Sequence, residues 1–161
     1  MIALEVESLM KYLQARKLEA KYFEATNQIA IILNIDTVDF PVFLQVDPTG
    51  KILQVFTIMP CTMRPKAPLE MARLLHLLNK EIDLPGFGMD ENSGLVFYRN
   101  VFVTGHGKID KIILDHIFDS LPNICKAFFS PISSVANGVY FEAIQGELRA
   151  FLQKLSDARA R

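Results

Sequence analysis

An α+β fold, with helices packed on an antiparallel sheet, follows from three features of the sequence. Apolar spacing switches between the 3.6-residue period of an amphipathic helix and the two-residue rhythm of strands. Asp47-Pro48-Thr49-Gly50 is a tight turn set between two β-rich runs. The order of elements (helix, four strands, helix, two strands, terminal helices) lacks the strict strand-helix-strand alternation of a parallel sheet. No repeat, low-complexity tract or linker interrupts residues 1–161, a length suited to one core, so a single domain is expected.

Val6, Leu9, Met10 and Leu13 recur at helical spacing, with Glu5, Glu7, Lys11 and Gln14 between them. This predicts an amphipathic helix ending near Lys17. From Lys21 the period changes. Tyr22–Ala25 and Ile29–Ile35 are rich in β-branched and aromatic residues and flank a turn at Thr26-Asn27-Gln28. A third strand, Val42–Val46, follows Asp39-Phe40-Pro41. Asp47, Pro48 and Gly50 then occupy the i, i+1 and i+3 places of a type I turn, which pairs Val42–Val46 antiparallel with Ile52–Ile58.

Pro60, Pro65 and Pro68 interrupt regular structure. Met71, Leu74, Leu75, Leu78 and Ile82 mark a second helix, with Pro68 in its first turn and Leu84-Pro85-Gly86 as its stop. Phe87–Met89 and Leu95–Val103 form a second hairpin, turning at Asp90-Glu91-Asn92-Ser93-Gly94. Thr104–Lys108 reads as a loop. Ile109, Ile112, Ile113 and Ile117 lay an apolar stripe on a third helix, which Pro122 should kink or end. Ser130 is read as an N-cap for Pro131. The tail is a last helical stretch with Ile144, Leu148, Phe151 and Leu155 as its stripe, weakened by Gly138 and Gly146.

Half of the residues are apolar and the mean hydropathy is +0.22, which excludes disorder for most of the length. The surplus predicts a thick core together with an oligomer interface. Seventeen basic and eighteen acidic residues give a formal charge of −1. The basic residues are scattered and the densest run is the tail Arg159 to Arg161, so nucleic acid is not an expected partner. Cys61 and Cys125 fit no metal spacing and are expected as reduced thiols. The start lacks the basic and apolar regions of a signal peptide, and no run of 18 uncharged apolar residues exists. A cytoplasmic protein without a membrane association is therefore expected.

The chemistry-bearing residues form no catalytic or metal constellation. His76 stands among leucines in Leu74-Leu75-His76-Leu77-Leu78 and reads as a partly buried structural residue. His116 and Asp115 are sequence neighbours and share no helical face, leaving Asp119 as an ordinary surface partner. Gly105-His106-Gly107-Lys108 fails as a phosphate loop, because Phe102 and Ile109 occupy places that need Gly and Ser or Thr. A plain Gly-rich connection is its first reading, and a weak anion site at a helix N-terminus its second. Cys61 has Arg64 nearby but no histidine to activate it. No cofactor, metal or catalytic activity is expected.

From about Phe40 to Gly138 the sequence resembles the YbjN family, bacterial proteins sharing the type III secretion chaperone-like fold. The likeness rests on the hairpin Phe40 to Gly50, on Leu77-Leu78-Asn79 followed by Gly86-Phe87-Gly88-Met89-Asp90, and on Gly94-Leu95-Val96-Phe97-Tyr98-Arg99. The following helix and Ser134-Val135-Ala136-Asn137-Gly138 complete it. The resemblance implies a twisted antiparallel sheet flanked by helices, commonly dimeric, binding a partly extended segment of a partner. Secretion chaperones are strongly acidic, and this near-neutral chain departs from that pattern.

The expected function is thus a non-enzymatic protein-binding module, chaperone-like or regulatory, working as a homodimer on a partner protein segment. Phe56, Ile58, Met59 and Met63 are the candidate binding residues, each with core packing as its plainer reading. The alternative is a small-molecule or anion-binding regulatory domain using Gly105, Gly107 and Lys108, joined by Arg99. An enzyme acting through Cys61 is the third reading.

Overall fold

The computed structural model describes residues 1–160; Arg161, the end of the basic tail, lies outside the described residues. Eight strands and four helices occur among them, in the order β1 (Ile2–Ala3), α1 (Val6–Ala15), β2 (Ala20–Phe23), β3 (Gln28–Ile35), β4 (Val38–Val46), β5 (Ile52–Met59), α2 (Pro68–Glu81), β6 (Phe87–Asp90), β7 (Leu95–Val103), β8 (Lys108–Ile109), α3 (Lys111–Ala136) and α4 (Phe141–Arg159). Six strands make one sheet in the order β2-β3-β4-β5-β7-β6, and β1 pairs with β8 in a separate ribbon. The fold is α+β with an antiparallel sheet flanked by helices, as the sequence predicts. The chain divides into two compact units, Met1–Pro60 with Phe97–Ala127 and Cys61–Val96 with Phe128–Arg161.

In the first unit the strands follow the two-residue rhythm closely. Ile29, Ile31 and Leu33 of β3 pair with Leu44, Val42 and Phe40 of β4, and Leu44 and Val42 pair in turn with Val55 and Thr57 of β5. All of these are buried, so one face of the sheet is a continuous apolar layer. The turn that sets this register is the one read from the sequence. The Gly50 N–H donates to the Asp47 carbonyl at 2.9 Å, and the Asp47 carboxylate accepts the Lys51 and Ile52 N–H groups at 2.9 and 2.7 Å. Gly50 has φ +68°, a left-handed conformation that an L side chain resists.

Four expectations are corrected here. β2 begins at Ala20 and ends at Phe23, because Glu24–Thr26 close a 3-10 turn ahead of left-handed Asn27. β4 starts at Val38 and contains Pro41, tolerated because β4 pairs with β5 only over Val42–Val46. The segment read as the loop Thr104–Lys108 ends in strand β8, paired through Ile2↔Ile109 and Ala3↔Lys108. The stripe of α3 in this unit is Leu114, Ile117, Phe118, Leu121 and Cys125, whereas Ile112 (74% exposed) and Ile113 face solvent.

A dense charge cluster joins α1 to the start of α3. The Tyr12 hydroxyl and Arg16 both donate to Asp115 Oδ1 at 3.0 Å, Lys111 donates to Asp115 Oδ2 at 2.6 Å, and Arg16 also pairs with Asp119. Tyr12 packs on Phe118 with centroids 5.8 Å apart. Every charge in the cluster has a partner, so it is a clasp between helices with no open position for a ligand.

The second unit packs α2, the second half of α3 and α4 around Met71, Leu74, Leu75, Leu78, Phe128, Ile132, Val135, Leu148 and Leu152. Leu152 takes the inward place expected of Phe151, which is exposed. His76 is exposed, one position off the buried leucine stripe of α2, and not partly buried as its neighbours suggest. Asn79 ties the end of α2 to β6: its Oδ1 accepts the Gly86 and Phe87 N–H groups, and its Nδ2 donates to the Phe87 carbonyl at 2.8 Å.

Helix α3 runs unbroken for 26 residues through both Pro122 and Pro131, against the expected kink or end and the expected cap at Ser130. Each proline costs roughly 3 kcal/mol inside a helix. Burial of Leu121, Phe128, Ile132 and Val135 at about 1.5–3 kcal/mol each offsets that cost. The helix stops at Gly138 (φ +101°), where the Gly138 and Val139 N–H groups return to the Val135 and Ser134 carbonyls.

Two predictions follow from this packing. The Thr57 hydroxyl is fully buried and has no hydrogen-bond partner among the described residues. Thr57→Val keeps the shape and removes the orphan group, and urea unfolding should show a gain of about 1 kcal/mol. The hydrogen bonds of the Asp47 turn, led by that from the Thr49 hydroxyl, bring its carboxyl from 3.8 down to about 2. Its stabilisation is complete above about pH 4 and is lost as the pH falls towards 2. Asp47→Ala should therefore be less stable than the parent near neutral pH, and unfolding curves taken at decreasing pH should converge.

Candidate functional site

The sheet has a second face. Because side chains alternate along each strand, burying Ile31, Val42, Val55 and Tyr98 turns Ile32, Phe43, Phe56 and Phe97 the other way. Ile32 lies opposite Pro41 and Phe43 opposite Phe56. The Phe56 and Phe97 rings meet edge to face with centroids 5.9 Å apart. The Arg99 guanidinium lies 5.7 Å from the centre of the Phe56 ring. Ile58, Val101 and Val103 extend the same face, all within the first unit. These residues are half-buried to exposed, with Ile32 56% exposed.

Beside the apolar cluster runs a row of glutamines in register, Gln28 opposite Gln45 and Gln45 opposite Gln54. Their amides offer donors and acceptors without charge. A face of aromatic and β-branched residues edged by amides, with Arg99 resting on Phe56 as its central cation, suits contact with polypeptide better than with a metal ion.

Of the four candidate binding residues, Phe56 and Ile58 lie on this face. Met59 has the parity of Thr57 and is 1% exposed, a core residue. Met63 is half-buried in the loop that opens the second unit, its Cβ 3.6 Å from where a Cβ on Gly94 would stand. Sequence reasoning missed Ile32, Phe43 and Phe97. Their signal was present in the alternation, since each is out of phase with a buried run, but strand pairing was needed to bring them beside Phe56.

The residues of the alternative anion site are placed separately. The Gly107 carbonyl accepts the Leu4 N–H at 2.8 Å, and Lys108 is a strand residue opposite Ala3. Gly105, His106 and Lys108 line a shallow groove with Val101 and Val103, and Arg99 is not part of it. The N-terminus of α3 is capped by Asp110, whose carboxylate accepts the Ile112 N–H at 3.0 Å and so stands where an anion would bind. Burial raises the Cys61 thiol above its ordinary pKa, the reverse of what a nucleophile needs, and pushes buried Cys125 up to about 12. No helix among the described residues is long and apolar enough to cross a membrane.

Comparison with known proteins adds three findings. The model of the YbjN family, described as "Putative bacterial sensory transduction regulator", matches residues 5–134. No curated protein matches the chain. One chain of the solved HopA1–SchA chaperone–effector complex superposes with a TM-score of 0.52 at 16% identity, covering 76% of this chain and 90% of its own. That likeness is one of fold. With the family model spanning most of its length, the chain belongs to the YbjN family.

Proposed function

We propose that this chain is a non-enzymatic protein-binding module, chaperone-like or regulatory, which works as a homodimer and holds a segment of a partner protein. The observation that carries the reading is the open, nearly uncharged sheet face centred on Phe56, Ile58 and Phe97. A partner segment laid on it buries apolar side chains against the aromatic cluster, at roughly 25 cal/mol for each Å² removed from water. The glutamine row meets the polar groups of that segment with hydrogen bonds. The family description and the chaperone–effector neighbour favour the same class of role. The near-neutral charge favours partners recognised by shape and apolar contact over partners recruited by charge.

Light scattering should give a mass near twice 18.2 kDa. A photo-crosslinking benzoylphenylalanine placed at Ile32 should capture a different polypeptide in cells, Phe56→Glu should abolish that capture, and the same probe at exposed Ile112 should capture nothing specific. Capture of a second copy alone would reassign the face to the dimer interface. A monomer that crosslinks to nothing at Ile32 would sink the reading.

A further inference from the structure

Within the second unit lies a cavity of about 390 Å³, separate from the open sheet face and from every residue singled out above for binding. Its walls come from the loop before α2 (Arg64, Pro65, Lys66, Ala67) and from the end of α3 with the connection to α4 (Val135, Gly138, Val139, Tyr140), closed on one side by Glu70. The two stretches are held together by the backbone: the Arg64 N–H donates to the Ala136 carbonyl at 2.9 Å, and the Ala67 N–H to the Arg64 carbonyl at 2.9 Å. Gly138 lies beside Arg64: a Cβ there would stand in ordinary contact with Arg64 Cδ at 3.6 Å and its Nη1 at 3.8 Å, on a backbone with φ +101° that favours glycine.

The charges on the walls are unequal in their commitments. Glu70 is occupied: its Oε2 accepts the Phe141 N–H at 2.7 Å, and its Oε1 stands 3.6 Å from Arg73 Nη1. Arg64 and Lys66 have no carboxylate within ion-pairing distance among the described residues. The floor is apolar, with Val135 and Ala67 buried, and the Tyr140 ring stands at the rim, 71% exposed. A cavity in the size range of small-molecule sites, apolar below and carrying two uncommitted cations above, matches the usual build of a ligand pocket.

The geometry points to a binding site for a small organic anion, a carboxylate or phosphate ester on an apolar or aromatic body. The body fills the space over Val135 and Ala67 and stacks at Tyr140. The anionic head meets the fork of Arg64, which suits two oxygens at once, and the point charge of Lys66. Neither half of such a ligand suffices: the cations are solvated enough to hold a bare anion weakly, and the apolar floor is small. Glu70, the one carboxylate on the walls, is already engaged by the Phe141 N–H and Arg73, so the site is one that binds its ligand.

Phenyl phosphate is the probe. Calorimetric titration of the full chain should show saturable one-site binding, with benzyl alcohol and inorganic phosphate at least tenfold weaker, and amide NMR shifts at Val135, Gly138 and Val139. Arg64→Ala with Lys66→Ala, both exposed positions, should weaken binding at least tenfold with an unchanged unfolding midpoint. Val139→Trp, which fills the cavity while leaving the cations in place, should weaken it as well. Inorganic phosphate matching phenyl phosphate, binding that survives either set of substitutions, or no saturable binding up to millimolar probe would each overturn the assignment. Because the open sheet face takes no part, the crosslink at Ile32 is unaffected by any of these outcomes.

Discussion

The cross-strand register of β3, β4 and β5 is the constraint on which the first unit depends. Ile29, Ile31 and Leu33 meet Leu44, Val42 and Phe40, which meet Val55 and Thr57 in turn, and the pairing is pinned at one end by the Asp47 carboxylate and left-handed Gly50. Since side chains alternate strictly, a slip of one residue would send the whole apolar layer to the other face. The same arithmetic produces the open face. Phe43 and Phe56 are neighbours because Val42 and Thr57 are paired one step away, so core and candidate binding surface are two readings of one register.

The clasp between α1 and α3 complements the sheet by a different kind of force. Tyr12, Arg16 and Lys111 converge on Asp115, and Arg16 continues to Asp119, half in and half out of solvent. Lone surface ion pairs add little, but here an aromatic contact with Phe118 and a tyrosine hydroxyl accompany the charges, which gives the network geometric definition. Its value lies in orienting the N-terminal helix while the apolar stripe supplies the bulk of the burial.

The open face and the cavity differ in chemistry. The face is broad, aromatic and almost uncharged, with Arg99 resting on Phe56. The cavity is half open to solvent and positively biased. A surface of the first kind reads shape over many residues; a pocket of the second kind reads one anionic group on a small body. Each stands on residues of a single unit.

Much of this was legible in the sequence because it is written in short-range patterns. The amphipathic period of α1, the Asp-Pro-Thr-Gly turn, the proline-rich break and the β6–β7 hairpin are local preferences that the tertiary structure leaves intact. Phe56, Ile58 and Met59 were alike in the sequence, binding candidates with core packing as the plainer reading, and only the phase of β5 against its neighbours sets buried Met59 apart from the other two. What only the tertiary structure decided involves residues far apart in the chain or local costs outweighed by packing. The β1–β8 ribbon joins Ile2 to Ile109 with no local signal at either end. Helix α3 passes two prolines because long-range burial on both sides of each exceeds the local penalty. The cavity exists because the loop at Arg64 and the helix end at Gly138 are bonded together across some 70 residues of sequence, an encounter that apolar periodicity cannot encode.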